Sequence, residues 1–140
     1  MQLKIRHTLS EELALPLSYH HIIQSIIYRG LADESGYSRH MHNSGYASNN
    51  ANNVGRRYKL FNFSLLRGNY RVINGQIIFR DYVEWEIRSP DIYMMRLLES
   101  AFRKNGIHYG NQHFSDVALC LMNETVEKDS IHIRMLSPIC

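Results

Sequence analysis

The 140-residue sequence predicts an α+β fold, with an antiparallel sheet carrying two helices on one face, and three observations lead there. Apolar residues recur at helical spacing in two stretches, 18 to 31 and 92 to 105. Stretches that alternate apolar and polar residues precede, separate and follow those two. The chain, 44% hydrophobic and 21% charged, is long enough for one packed core and too short for two ordinary ones, so residues 1–140 read as one domain.

The elements follow in order. QLKIRHT (2 to 8) sets Leu3, Ile5 and His7 on one side, the pattern of a half-buried strand. Pro16 and Ser18 then open a helix whose apolar stripe is Ile22, Ile23, Ile26, Ile27 and Leu31. At 100° per residue Tyr28 falls opposite that stripe, beside His21 and Gln24, and so is not an obvious core residue. NSGYASNNANNVGRR (43 to 57) has no period and is rich in Asn, Gly and Ser, which describes a loop. KLFNFSLL (59 to 66) alternates at Phe61, Phe63 and Leu65. A break is expected at Gly68-Asn69, after which YRVI and QIIFRDYVEWEI are joined by an Asn74-Gly75 turn. Ser89-Pro90-Asp91 supplies a cap, a first-turn proline and a dipole-matching acid for the second helix, which turns Ile92, Met95, Leu98 and Phe102 to the core and closes at Asn105-Gly106. IHYGNQHFSDVALCL and SIHIRMLSPI read as a last pair of strands. The order is βαββαβ, ferredoxin-like (RRM-like).

Charge is distributed unevenly. The formal charge is only +3, yet from Ser35 to Arg80 there are seven cations (Arg39, Arg56, Arg57, Lys59, Arg67, Arg71, Arg80) and no Asp or Glu. An anionic partner is the expectation, and Arg39, Arg56, Arg57 and Arg67 are candidate RNA-binding residues. The same segment interleaves Tyr and Phe, which in sheets of this architecture stack the bases of single-stranded RNA, although the octapeptide of an ordinary stacking RRM is absent. No apolar run approaches the roughly 20 residues of a membrane span, so no membrane partner is expected. No signal-peptide pattern opens the chain, and Cys120 and Cys140 make a poor disulfide framework, which points to a reducing, cytoplasmic compartment.

Eight His invite a metal reading, through His40-x-His42 and His20-His21. A site needs three or four convergent ligands, and neither Cys lies near these pairs nor does the basic segment offer a carboxylate. No metal and no cofactor is expected, and a two-metal nuclease lacks its clustered acids. Metal-free RNA cleavage instead needs a base for the 2′-OH proton, an acid for the 5′-oxygen and a cation for the charge developing on phosphate. Tyr28, His42 and Lys59 form one set able to fill those roles. The bland reading has Tyr28 packing under the loop, His42 as a turn residue and Lys59 as a solvated charge.

Four segments, LPLSYHHIIQSIIYRGL (15 to 31), HMHNSGY (40 to 46), YKLFNFSLL (58 to 66) and IRMLSPI (133 to 139), resemble in order and spacing the signatures of the CRISPR-associated Cas-six endoribonucleases. The resemblance implies a ferredoxin-like N-terminal domain and metal-independent cleavage of CRISPR repeat RNA in its precursor transcript. It implies products with a 2′,3′-cyclic phosphate and a 5′-OH, passed as guide RNA to a multiprotein CRISPR effector complex. Carried over by position, the family's catalytic Tyr falls on Tyr28, its His on His42 and its Lys on Lys59. His40 competes with His42, Arg56 and Arg57 compete with Lys59, and the division of acid and base between Tyr28 and His42 stays open. The family usually continues after MLSPI into a second ferredoxin-like domain with a glycine-rich loop. The expectation here is the N-terminal half alone, whose uncovered C-terminal edge invites a homodimer. A non-catalytic RNA-binding or assembly module is the alternative reading.

Overall fold

A computed structural model describes residues 1–32, 46–47, 57–58 and 61–123. Within them the chain runs β1 (Gln2–Thr8), β2 (Leu13–Pro16), α1 (His20–Ala32), β3 (Tyr46–Ala47), β4 (Arg57–Tyr58), β5 (Asn62–Phe63), β6 (Arg67–Ile73), β7 (Gln76–Arg88), α2 (Ile92–Asn105), β8 (Ile107–Tyr109), β9 (Gln112–Phe114) and β10 (Ala118–Met122). SIHIRMLSPI, expected as the final strand, lies outside the described residues.

A strand as long as β7 presents backbone donors and acceptors on both edges, and these must be paired wherever water is excluded. One edge takes β1, antiparallel from Gln2↔Arg88 to Thr8↔Tyr82, and then β2, from Leu13↔Phe79 to Pro16↔Gln76. The other edge takes β5, at Phe63↔Ile87, and then β6, from Arg67↔Glu84 to Ile73↔Gln76. β10 pairs with the far side of β1, from Gln2↔Met122 to Arg6↔Ala118. With β1–β2 and β5–β6 taken as two interrupted strands, the sheet order is last, first, third, second, all antiparallel. This is the ferredoxin-like α+β arrangement. β2 had no counterpart among the expected elements, because four residues are too few to show a period.

The break between β1 and β2 and an irregularity inside β6 meet at one level of the sheet. Asp81 adopts a left-handed φ of 63°, and the β6 register shifts between Gly68 and Asn69. Leu9 N–H donates to the Asp81 carbonyl at 2.8 Å, and the Asn69 amide donates to the Asp81 carboxylate at 3.1 Å. A Cβ on Gly68 would collide with the Tyr82 carbonyl oxygen, so glycine is required there. Gly68-Asn69 is therefore a bulge inside β6 and not a break between strands. The chain reverses at Asn74-Gly75, with φ of 50° and 75°, the positive values a tight hairpin needs. KLFNFSLL is corrected in the same region: Leu65 is 59% exposed and Leu66 is 5% exposed. Between β5 and β6 the alternation slips by one residue, and the Leu66 N–H donates to the Tyr19 hydroxyl at 3.1 Å.

Leu3, Ile5 and His7 of β1, Leu13 and Leu15 of β2, and Ile77, Phe79, Val83, Trp85 and Ile87 of β7 are buried on one face, under the two helices. α1 adds Ile23, Ile26, Ile27 and Leu31, and α2 adds Met94, Met95, Leu98 and Phe102. Ile92, expected on that face, is exposed. The α2 cap is Asp91, whose carboxylate accepts the Met94 N–H at 3.0 Å; Ser89 lies two residues earlier and its hydroxyl accepts the Asp91 N–H at 3.1 Å. Pro90 thus precedes the helix. Gly106, φ 66°, closes it by donating its N–H to the Phe102 carbonyl at 3.0 Å.

The stretch 107 to 121, expected as one strand, is divided. β8 and β9 form a hairpin, with Tyr109↔Gln112 beside Gly110, and β10 follows. The Trp85 indole N–H donates to the Tyr109 hydroxyl at 2.6 Å inside the core, which fastens the hairpin to β7. Burial pushes the Tyr109 pKa far above the ordinary tyrosine range, while the Trp85 donor on its oxygen acts in the opposite sense.

Helices α1 and α2 meet at Gly30. A Cβ placed there would stand 2.8 Å from Phe102 Cε1 and 3.0 Å from Leu98 Cδ2, both on buried side chains that would have to shift. Leu favours helices, so Gly30→Leu isolates the packing effect from propensity. The substitution should lower unfolding stability by about 2 kcal/mol, measured as a fall in the urea midpoint at constant slope. An unchanged midpoint would show that the helices part freely.

Candidate functional site

On α1, His20, Gln24 and Tyr28 recur at every fourth residue and share one side of the helix. Tyr28 is half-buried, its ring edge-on to Phe61 with centroids 6.1 Å apart and planes at 80°. Phe61 follows the candidate cation Lys59 by two residues in sequence. At the start of the same helix His20 is exposed and stacks on Tyr19, with centroids at 5.1 Å and planes within 10°, and Phe63 lies 6.4 Å from it. His21 is also exposed and donates from Nδ1 to the Ser18 carbonyl at 2.7 Å. His42, Lys59, Arg39 and Arg56, with the competing His40, lie outside the described residues, and of Arg57 only its place in β4 is described.

The basic segment is less free than its sequence suggests. Glu12, from the turn before β2, holds both Arg71, at 3.0 Å, and Arg80, at 2.8 Å, while its carbonyl accepts the Gln112 amide at 3.0 Å. Two of the seven cations thus share one acid more than fifty residues away in sequence. Arg67 is exposed and lies opposite Glu84 across the β6–β7 ladder. Glu84 also faces Arg6 on its other flank, at 4.0 Å, and Arg6 itself sits 4.4 Å over the Tyr82 ring. Glu86 is bonded by Gln2 and paired with Arg88 at 3.1 Å. These residues belong to the sheet face turned away from the helices, where a groove of about 360 Å³ is lined by Lys4, Arg6, Ser64, Arg67, Glu84 and Glu86. Its charges alternate in sign. Sequence reasoning missed the groove, although Glu84-Trp85-Glu86 signalled it: with Trp85 turned inward, both acids must face out.

Of the described histidines, His7 departs furthest from ordinary behaviour, and it is core. It is fully buried between the rings of Tyr109 and Phe114, each with centroids 5.5 Å away, and among the described residues neither ring nitrogen makes a hydrogen bond. Burial lowers its pKa to about 4, opposed by the backbone and the carboxylate of Asp116 nearby. Such a shift often marks a reacting group, but no substrate reaches a side chain walled in on every side. Among the described residues no three His, Cys, Asp or Glu are placed to hold a metal ion, and His20 and His21 point to different partners. No helix among them is long and apolar enough to cross a membrane.

No protein-family model matches the sequence, and no curated protein matches it. A solved structure described as CRISPR associated protein Cas6 is similar to this chain over 89% of its length, with a TM-score of 0.59 and 17% sequence identity. The chain has a Cas6-like fold. It spans 50% of the length of that Cas6 chain. The likeness is one of backbone architecture, and it falls on the family whose segments the sequence resembles.

His7 carries a pH prediction. Its pKa in the fold, about 4, lies below the 6.5 of the unfolded chain, so the unfolded state binds the proton first as pH falls. Stability is therefore fully present above pH 6.5 and declines between 6.5 and 4, by about 3 kcal/mol if no other group intervenes. Urea unfolding of the chain and of His7→Leu across that range should show a shallower decline in the variant. Parallel curves would exclude His7 as the cause.

Proposed function

We propose that this chain is the catalysis-bearing domain of a metal-independent endoribonuclease that cleaves CRISPR repeat RNA in its precursor transcript. The observation that carries the reading is the Cas6-like fold over nearly the whole chain, with Tyr28 on the first helix set edge-on against Phe61. Tyr28, His42 and Lys59 are the proposed catalytic residues. One of Tyr28 and His42 takes the proton from the 2′-OH. The freed oxygen attacks phosphorus in line, and the bond to the 5′-oxygen breaks as the other group returns a proton to it. Lys59 stabilises the charge gathering on the phosphate. The products are a 2′,3′-cyclic phosphate and a 5′-OH.

Arg39, Arg56, Arg57 and Arg67 are proposed to hold the RNA backbone. Arg71 and Arg80 are left out of that set because Glu12 already engages both. Proteins of a CRISPR effector complex and a second copy of this chain are the protein partners of the same reading. A second reading, a non-catalytic RNA-binding or assembly module, draws support from the match to half of a Cas6 chain.

Cleavage of repeat RNA separates the two. His42→Ala should slow it by roughly 10² to 10⁴ with affinity nearly intact, whereas Lys59→Ala should reduce both. EDTA should have no effect, and a 2′-deoxy nucleotide at the cut should abolish the reaction by removing the nucleophile. Binding measured against salt should lose roughly one unit of log-log slope when Arg56 or Arg57 is replaced. Binding without cleavage would establish the second reading, and cleavage that needs Mg²⁺ would overturn the chemistry.

A further inference from the structure

We propose that His20 and Phe63 form a nucleobase-stacking platform that seats single-stranded RNA along α1 on the approach to Tyr28; the platform rests on the RNA reading above. The argument begins at Tyr19, a buried ring whose hydroxyl accepts the Leu66 N–H at 3.1 Å and so is pinned between α1 and the β5–β6 connection. His20 lies parallel on that ring, at 5.1 Å and 10°, yet is itself exposed. A surface imidazole ordinarily samples several rotamers. This one is presented as a flat, ordered surface before any ligand arrives, so less ordering is left for binding to offset. Half-buried Phe63, at 6.4 Å and tilted by 42°, adds a second aromatic wall beside it.

The position gives the platform its purpose. His20 and Tyr28 are eight residues apart on one side of α1, about 12 Å along the axis. Phe61 and Phe63, two residues apart in sequence, answer Tyr28 and His20 in that order. Two aromatic pairs therefore border one seam between α1 and β5, with exposed Gln24 between them on the helix. Core packing accounts for Tyr19 and does not account for His20, which gains little burial there. A base has a π-face whatever its identity, so a platform of this kind is tolerant of sequence and adds to phosphate contacts.

The test uses the 140-residue chain, a short oligoadenylate carrying one 2-aminopurine, and an abasic oligomer of the same length as a backbone-only control. Stacking predicts quenching of the 2-aminopurine on binding and tighter binding of the base-bearing probe. His20→Ala should weaken that probe about tenfold and leave the abasic one nearly unchanged, whereas His20→Phe should keep the affinity. Thermal unfolding of both variants should match the parent, because residue 20 is exposed. Equal affinity of the parent and His20→Ala for the base-bearing probe overturns the platform, as does an equal loss in His20→Phe, which would mark a charge or hydrogen-bond contact instead. If the parent binds both probes alike, the platform fails while the RNA reading stands. If it binds neither, both fail.

Discussion

β7 must satisfy its backbone on two edges and its side chains on two faces at once, and the other parts of the described fold arrange themselves around that demand. Its partners change along its length, from β1 to β2 around Asp81 on one edge and from β5 to β6 between Ile87 and Glu84 on the other. Asp81, in the left-handed region, lies at the first of these changes, level with the register shift in β6 where Gly68 meets the Tyr82 carbonyl. A sheet with shorter central strands would not need such a step. Here the bulge lets one strand serve four, and it keeps Ile77, Phe79, Val83, Trp85 and Ile87 on the helix side through the interruption.

Much of this was legible in the sequence, and the misses share a cause. The β1 alternation, the α1 stripe, the Asn74-Gly75 turn and the Gly106 stop are local signals, each expressed within a few residues, and they survive into the structure. Gly68-Asn69 reads as a turn by composition, but whether glycine marks a reversal or a bulge is decided by the neighbouring strand, here by the Tyr82 carbonyl. Leu65 and Leu66 exchanged roles for a similar reason, since the Tyr19 hydroxyl claims the Leu66 N–H from across the chain. Asp91 displaced Ser89 as the cap because two adjacent candidates satisfy the same rule.

The candidate site divides in the same way. Periodicity alone set Tyr28 apart from the apolar stripe, and it does stand against Phe61 and not within the core. Charge counting served less well, because a window free of acids says nothing of acids brought in by folding. Glu12 closes on Arg71 and Arg80, and Glu84 lies between Arg6 and Arg67, so the positive excess on the sheet surface away from the helices is smaller than the acid-free window implies. His7 shows the converse: an unusual titration produced by burial, at a residue the alternation had already assigned to the interior.

The contact of Gly30 with Phe102 reaches beyond packing. Tyr28 lies two residues before that glycine and faces another way, so the distance between the two helix axes also sets how far the Tyr28 ring is carried toward Phe61. Residue 30 is where any added side chain would hold the two helices apart. The volume of the side chain at 102 then becomes a tuning screw for the geometry of the site, adjustable from inside the protein without altering any group that a substrate would touch.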